Sequence, residues 1–337
     1  MKHACNASQS ETRREYSYRW CSILPTLWHS WRIVQNTSSP PLLILANADW
    51  PANAPPLALP NLQATLGQWR TLQRDVRPSN DLLSAAERWQ AEALGWRLAP
   101  HAPVPWGAWY AQQKGLSTQG AWALISPCHW DINMTGVRMD DPAQLQLSSE
   151  HSQALMASLE PLANEDGIQL HWINPTLWLA HGEVFTHLVA PSPARMANAE
   201  LSEHLPDVPQ DASATRLLRR LQNEAQMLFY DHPVHDQRAL ERRPAVNSIW
   251  FHGAAPWVAP TAPSRAFLCT DILSLSDHLV DAWQLADTWL GIQLQTHPNA
   301  EVAICSATSS RLLSKRAPAW WRRFGQRRAK QWMDLLP

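Results

Sequence analysis

The chain has 337 residues, 45% of them hydrophobic and 17% charged, with a formal net charge of −1. That is enough apolar chain for one large domain or two ordinary ones with buried cores, and the near-neutral balance excludes a molecule that grips nucleic acid through its overall charge. Glycine is scarce, at 11 residues with no two within four positions of each other, and a Gly-x-Ser-x-Gly elbow is missing, so Rossmann, Walker, kinase-loop and α/β-hydrolase readings are set aside.

Tryptophan is abundant at 20 residues and proline at 27, which predicts many rigid connections. The five cysteines (Cys5, Cys21, Cys128, Cys269 and Cys305) are widely spaced and include no C-x-x-C pair. They read as reduced thiols, which points to a cytoplasmic protein. No apolar run reaches the ~18 residues of a membrane helix, so no membrane partner is expected.

In chain order, residues 1–18 read as a polar leader. Two apolar runs follow, Cys21–Leu27 and Leu42–Ala46, the second a short strand, and then a Pro-rich linker. Helices are predicted over 61–69 and 84–94, the latter with Gly95 at its C′ position. A loop rich in Pro and Trp over 101–110 leads to a strand at 122–126. Ser148 or Ser149 caps a helix reaching Leu159, with Leu155, Met156 and Leu159 inward. Asp166-Gly167 is a turn, and 168–173, 177–180 and 184–189 read as a meander of three strands. Over 215–230, Leu217, Leu221, Ala225 and Leu228 form a helical stripe. Pro233 ends that helix. Then come a strand at 246–251, a helix at 277–290 and a strand at 302–305. The interleaving predicts a mixed α/β fold, a layered and partly antiparallel sheet flanked by helices. Two lobes are expected, 19–115 and 116–337.

The string LRRLQNEAQMLFYDHPVHDQR at 218–238, followed by VNSIWFHG, resembles the RpfE-type proteins of bacteria, which are related to cofactor-independent phosphoglycerate mutases. SPCHWDINMTGVRMDDPAQLQLSSEHSQAL at 126–155 and LHWINPTLWLA at 170–180 extend the resemblance over residues 85–335. It implies a regulatory protein whose fold is remotely like part of the alkaline-phosphatase-like mutase fold. Such mutases hold two divalent metals on separated Asp and His ligands and form a phosphoserine. Here the early strand reads LLILANADWPAN, with Asp49 but no glycine after it and no partner carboxylate. Asp231 and His235 have an Asp-x-x-x-His spacing but stand alone. The expectation is therefore no metal, no cofactor and no mutase turnover.

The candidate ligand-binding residues are His232, His235, Asp236, Arg238, Asn247, Ser248 and His252. The two histidines, with a proline between them and carboxylates beside them, meet the carbonyl end of the helix, bind an anion or substrate, or hold a transition metal; the first reading is favoured. Arg238 offers a planar fork to an anion. Asn247 and Ser248 begin a strand that ends at His252, and Ser248 shares a strand face with that histidine, so a nucleophile–base pairing is one reading and a satisfied strand end the other. Arg238, Asn247 and the two histidines are expected to converge on one cleft. Arg216, Arg219 and Arg220 share a helix face and read as solvated, with Glu224 as a partner. The His129-Trp130 and His171-Trp172 pairs read as core packing. Residues 306–333 carry eight basic and no acidic residues, including Arg322, Arg323, Arg327 and Arg328, and predict a basic C-terminal helix open to nucleic acid or an acidic protein partner.

The reading is an RpfE-type regulatory or ligand-binding protein, related to phosphoglycerate mutases and non-catalytic, that takes a small anionic ligand or a protein partner. The alternatives are a divergent phosphomutase or phosphatase acting on a small phosphorylated acid, and a nucleic-acid-binding module using the basic tail.

Overall fold

A computed structural model describes residues 39–315, apart from 50–56, 67–68, 79, 98, 100–101, 135, 198, 203, 262–263 and 277. The leader, the run Cys21–Leu27 and the basic helix with Arg322, Arg323, Arg327 and Arg328 lie outside the described residues.

The elements in order are β1 (Leu42–Ala46), α1 (Pro60–Leu66), β2 (Arg70–Val76), α2 (Ala85–Leu94), α3 (Trp106–Gln113), β3 (Trp122–Cys128), β4 (Trp130–Asn133), β5 (Gly136–Met139), α4 (Ser149–Glu165), β6 (Gln169–Asn174), β7 (Leu177–His181), α5 (Pro193–Met196), α6 (Ala212–Tyr230), α7 (Val234–Leu240), β8 (Ser248–His252), β9 (Phe267–Asp271), α8 (Leu279–Thr296), β10 (Glu301–Cys305) and β11 (Ser309–Ser314). The fold is mixed α/β, as expected. One sheet has the order β2-β11-β10-β1-β9, a second is β6-β7-β3-β8, and β4-β5 is a two-stranded ribbon.

In the first sheet β1 is central and runs parallel to both β9 and β10, with β11 and β2 added antiparallel. A strand covered on both faces needs a continuous apolar run, which LLILA supplies. Leu43 and Leu45 pack with Val302 and Ile304 against α1 and α8, while Leu42 and Ile44 pack toward α2. The expected boundary at 115/116 runs through this sheet, since β1 and β2 share it with β9, β10 and β11.

The second sheet is wholly antiparallel. Its alternation separates two faces. Ala123, Ile125, Trp178, Ala180, Ile249 and Phe251 face a core shared with α4 and α6. Trp122, Leu124 and Leu179 face α3, where Trp96, Trp106 and Trp109 meet edge to face at centroid distances of 5.3, 6.5 and 5.7 Å. Gly107 makes this crossing possible: a Cβ there would lie 2.7 Å from the carbonyl carbon of Trp122.

Local chemistry sets the helix ends. Ser84 and Glu87 form a capping box on α2, and Gly95 closes it at φ 103°. Ser148 caps α4, which continues past Leu159 to Glu165 with Pro161 inside it. Asp211 caps α6 through the amides of Ser213 and Ala214, four residues before the expected start at Thr215.

Three expectations change. The third meander strand at 184–189 is a 3-10 turn, Glu183–Phe185, with only an isolated bridge from Val189 to Asp207, because Phe185 turns into the core instead of alternating. The loop at 101–110 contains the start of α3, whose tryptophans pack as a helix face. The buried stripe of α6 is Leu218, Leu221, Ala225 and Phe229, with Leu217 and Leu228 only partly buried beside it; the helix turns Phe229 into the core and leaves Tyr230 exposed.

Candidate functional site

Where the two sheets approach, a cavity of about 280 Å³ opens. Asn47, Asp271 and Ser306 reach it from the carboxyl ends of β1, β9 and β10, where parallel sheets place their ligands. Ser84, Glu87 and Gln90 come from the start of α2, Trp106 and Tyr110 from one face of α3, and Leu124, Ser126 and His252 from the second sheet. Asp141 and Ala194 complete the wall.

The floor is acidic. Asn47 Nδ2 donates to Asp141 Oδ2 at 3.1 Å and to both carboxylate oxygens of Asp271 at 3.0 Å. Two oxygens bonded to one nitrogen lie within about 6 Å of each other, a separation at which like charges oppose each other's ionisation. Burial raises the Asp271 carboxyl above its usual value, against the bonds from Asn47 and the Leu273 amide. Glu87 is raised by burial too, although Ser192 Oγ and the Ser84 amide donate to it. Among the described lining residues Lys114 alone is a full cation, and it is exposed.

His252 is 5% exposed, and its Nε2 lies 3.0 Å from Ser126 Oγ. Burial drives its pKa down to about 3, so the ring is neutral. Its Nδ1 has no partner among the described residues, and neither has the indole N–H of Trp106, 6% exposed. The Cys269 thiol accepts from Gln90 at 3.2 Å and is pushed by burial up to about 12. Ser126 and Cys269 thus line the cavity beside His252, but a histidine this weakly basic is a poor proton acceptor, and no carboxylate among the described residues orients it.

Of the expected site residues, His252 alone lines the cavity. Ser248, at the other end of β8, is fully buried and receives a bond from Gln226. It lies four residue steps along the strand from His252, roughly 13 Å, so the expected pairing is replaced by Ser126 with His252 across neighbouring strands. Asn247 does not face a cleft: its side chain accepts from the Trp130 amide at 2.7 Å and donates to the Trp130 carbonyl at 2.9 Å, tying the start of β8 to β4. Arg238 is 1% exposed and gives Nε to the Pro244 carbonyl and Nη2 to that of Leu145. His232 Nδ1 accepts from the Val234 amide, and burial lowers the pKa of both His232 and His235. Asp236 is exposed on α7. The expected convergence is therefore not formed: the arginine gives Nε and Nη2 to main-chain carbonyls, its buried Nη1 has no partner among the described residues, and the asparagine amide is occupied by main-chain groups. Arg220 pairs with Asp166 and Glu224 on the surface.

The residues that do converge were hidden. Asn47, Asp141, Glu87, Trp106 and Asp271 are distant in sequence. Only Asn47 and Asp271 share a sign, an apolar strand ending in Asn or Asp, as in LILAN and FLCTD.

The two-metal arrangement of the mutases does not fit these residues. Among the described residues no group of three or more His, Cys, Asp or Glu side chains is placed to hold a metal. Between Asp141 and Asp271, the position a cation would take is filled by the amide of Asn47.

No protein-family profile matches the sequence and no curated protein matches it. Among solved structures, the cofactor-independent phosphoglycerate mutase from Thermoplasma acidophilum is similar at 13% identity and a TM-score of 0.35, over 82% of this chain and 89% of that one. The PH0037 protein from Pyrococcus horikoshii is similar at 11% identity and a TM-score of 0.38, over 81% and 86%. No helix among the described residues is long and apolar enough to cross a membrane.

Proposed function

We propose that this protein is a binding protein for a small organic molecule, which it takes into the cavity between its two sheets. The observation that carries the reading is the cavity itself: about 280 Å³, at the small end of ligand pockets, walled by Trp106, Tyr110, Leu124, Ile173 and Leu177 and floored by buried carboxyls. Apolar walls supply affinity and a few fixed polar groups supply orientation.

The RpfE-type regulatory role rests on the sequence blocks, and it agrees with this reading if occupancy of the cavity is the signal. The alternative, turnover of a small phosphorylated acid, is disfavoured by the floor. A phosphate placed beside Asp141, Asp271 and Glu87 meets like charge and buried acceptors, with Lys114 exposed and the guanidinium of Arg238 bonded elsewhere.

The test is ligand-observed NMR with a panel of neutral, cationic and anionic aromatic fragments, on the natural protein and on Ala194→Trp. Ala194 is half-buried at the cavity wall, so a large side chain there fills the space while sparing the sheet cores. Binding of some members that disappears in the variant supports the reading. Binding that survives the substitution, or no binding by any member, overturns it.

A further inference from the structure

We propose that the cavity holds an uncharged, predominantly apolar ring compound, gripped through its carbon surface and not by an ion pair or a hydrogen bond. This rests on the cavity being a ligand site, and it removes the negative charge expected of the ligand from the sequence.

The first observation is where the polar groups of the lining are already engaged. Asn47 gives its amide to Asp141 and Asp271, and Asp271 also accepts from the Leu273 amide. Glu87 accepts from the Ser84 amide and from Ser192 Oγ. Gln90 donates to the Cys269 thiol, Ser126 pairs with His252, and Ser306 donates to the Ser309 carbonyl. Asn174 accepts from the amide and the hydroxyl of Thr176. The unpaired ring nitrogens of Trp106 and His252 are themselves buried, so they offer the space neither a donor nor an acceptor. A ligand with a charge or strong hydrogen-bonding groups would leave water for partners that are engaged with one another. Burying such a group uncompensated is costly.

The second observation is the carbon surface that the space presents. Trp106 and Tyr110 stand one helical turn apart on α3, and Leu124, Ile173 and Leu177 reach the space from the second sheet. Aromatic side chains beside branched aliphatic ones pack flat rings, and apolar contact needs no unoccupied donor or acceptor. Tyr110, Ile173 and Leu177 are half-buried, so the apolar wall continues from the interior toward the surface. At about 280 Å³ the space takes a compact body.

The third observation agrees with the first two. Five lining side chains move toward their uncharged forms. Burial raises the carboxyls of Asp271 and Glu87 and the Tyr110 phenol, pushes the Cys269 thiol up to about 12, and brings His252 down to about 3. One cause, the exclusion of water, acts on all of them. A space that resists charge of either sign on its own side chains resists it on a ligand too.

The experiment is ligand-observed NMR titration at neutral pH with four probes of one shape: toluene (apolar), benzyl alcohol (neutral and polar), benzylamine (cation) and benzoate (anion). Toluene is expected to bind at least as tightly as benzyl alcohol, and the amine and the carboxylate about ten-fold or more weaker than toluene. Ile173→Asn and Leu177→Asn should each weaken toluene about ten-fold, as the loss of a buried aliphatic contact implies, and Leu177→Met should keep it. Two positions guard against a variant that does not fold, checked by circular dichroism. If benzylamine or benzoate binds as tightly as toluene, a charge-matching group is present and the assignment is overturned while the cavity reading stands. If benzyl alcohol binds ten-fold tighter than toluene, a hydrogen bond holds the ligand and the assignment is likewise overturned. If the folded asparagine variants leave toluene unchanged, or Leu177→Met weakens it as much as Leu177→Asn, the apolar wall is not the contact surface and the assignment falls. If the four probes fail and the wider panel yields only charged binders, the assignment is overturned; if no fragment binds at all, both the assignment and the cavity reading fall.

Discussion

Asn47 and Asp271 meet across neighbouring parallel strands, the Asn47 amide nitrogen 3.0 Å from both oxygens of the Asp271 carboxylate. The contact is set by register. Ala46 pairs with Asp271, so the residue just beyond β1 reaches the last residue of β9, at the end of the sheet that opens into the cavity.

This contact predicts opposite effects for two substitutions. Asn47→Leu leaves Asp141 and Asp271 without their shared donor and should destabilise by about 1–3 kcal/mol. Asp271→Asn should stabilise at neutral pH. Because burial raises the folded carboxyl, the unfolded chain ionises first, and stability falls as pH rises above the usual 3.8 toward the folded value. An amide removes that loss and still accepts from Asn47. Urea unfolding at two pH values decides; an Asp271→Asn protein less stable than the natural one at neutral pH and no different in its pH dependence would contradict the argument.

His252 gives the protein acid sensitivity. The unfolded ring takes a proton near 6.5, whereas the folded ring resists until about 3. Stability contributed by the neutral ring is therefore present above 6.5 and lost as pH falls through that window, with a slope of up to ~1.4 kcal/mol per pH unit. His171, His232 and His235, also lowered by burial, act with the same sign. His252→Asn should flatten part of the slope between pH 6.5 and 4, measured as unfolding midpoints. An unchanged slope would show that the ring is not buried neutral.

Arg238 tests structure against ligand binding. Its guanidinium serves the carbonyls of Leu145 and Pro244 from a fully buried position. Arg238→Ala should cost about 2–4 kcal/mol by leaving buried acceptors unpaired, and Arg238→Lys should recover only part of it. Affinity for any cavity ligand should stay the same in both, measured below the unfolding transition. A selective loss of ligand affinity at unchanged stability would return Arg238 to the site.

The packing of α6 predicts an order among leucines. Leu221→Ala and Leu218→Ala should each cost ~2–5 kcal/mol, Leu217→Ala clearly less, and Met227→Ala, 78% exposed, within about 0.5 kcal/mol of zero. A Leu217 variant as damaging as Leu218 would mean that the helix is rotated from the position described.

Gly107 should be irreplaceable for a backbone reason. A methyl group there meets the Trp122 carbonyl carbon and oxygen at 2.7 Å, so Gly107→Ala must push α3 off β3, with a cost of about 1–3 kcal/mol and a displaced Trp106. Thermal unfolding and fragment binding to the cavity, followed by ligand-observed NMR on one preparation, should change together.

The sequence by itself determined the elements whose causes are local. LLILA is a central strand because it is apolar without alternation, Ser84 and Ser148 cap helices because their hydroxyls reach free amides, and Gly95 stops one because it adopts a positive φ. The mixed α/β class followed from their interleaving. It also placed Arg238 and Asn247 beside their strand, but the Leu145 carbonyl that Arg238 meets is far along the chain and the Trp130 main chain that Asn247 meets is in a neighbouring ribbon, and no pattern of residue types reveals those contacts. The cavity was decided by tertiary structure alone. Asn47, Asp141 and Asp271 are separated by 94 and 224 positions from Asn47 onward, and they meet only because parallel pairing sets β1 beside β9. Trp106 faces the same space because one glycine lets a helix lie on a strand. Strand order and register are properties of pairing between distant segments, and the chemistry of this site exists only once that pairing has formed.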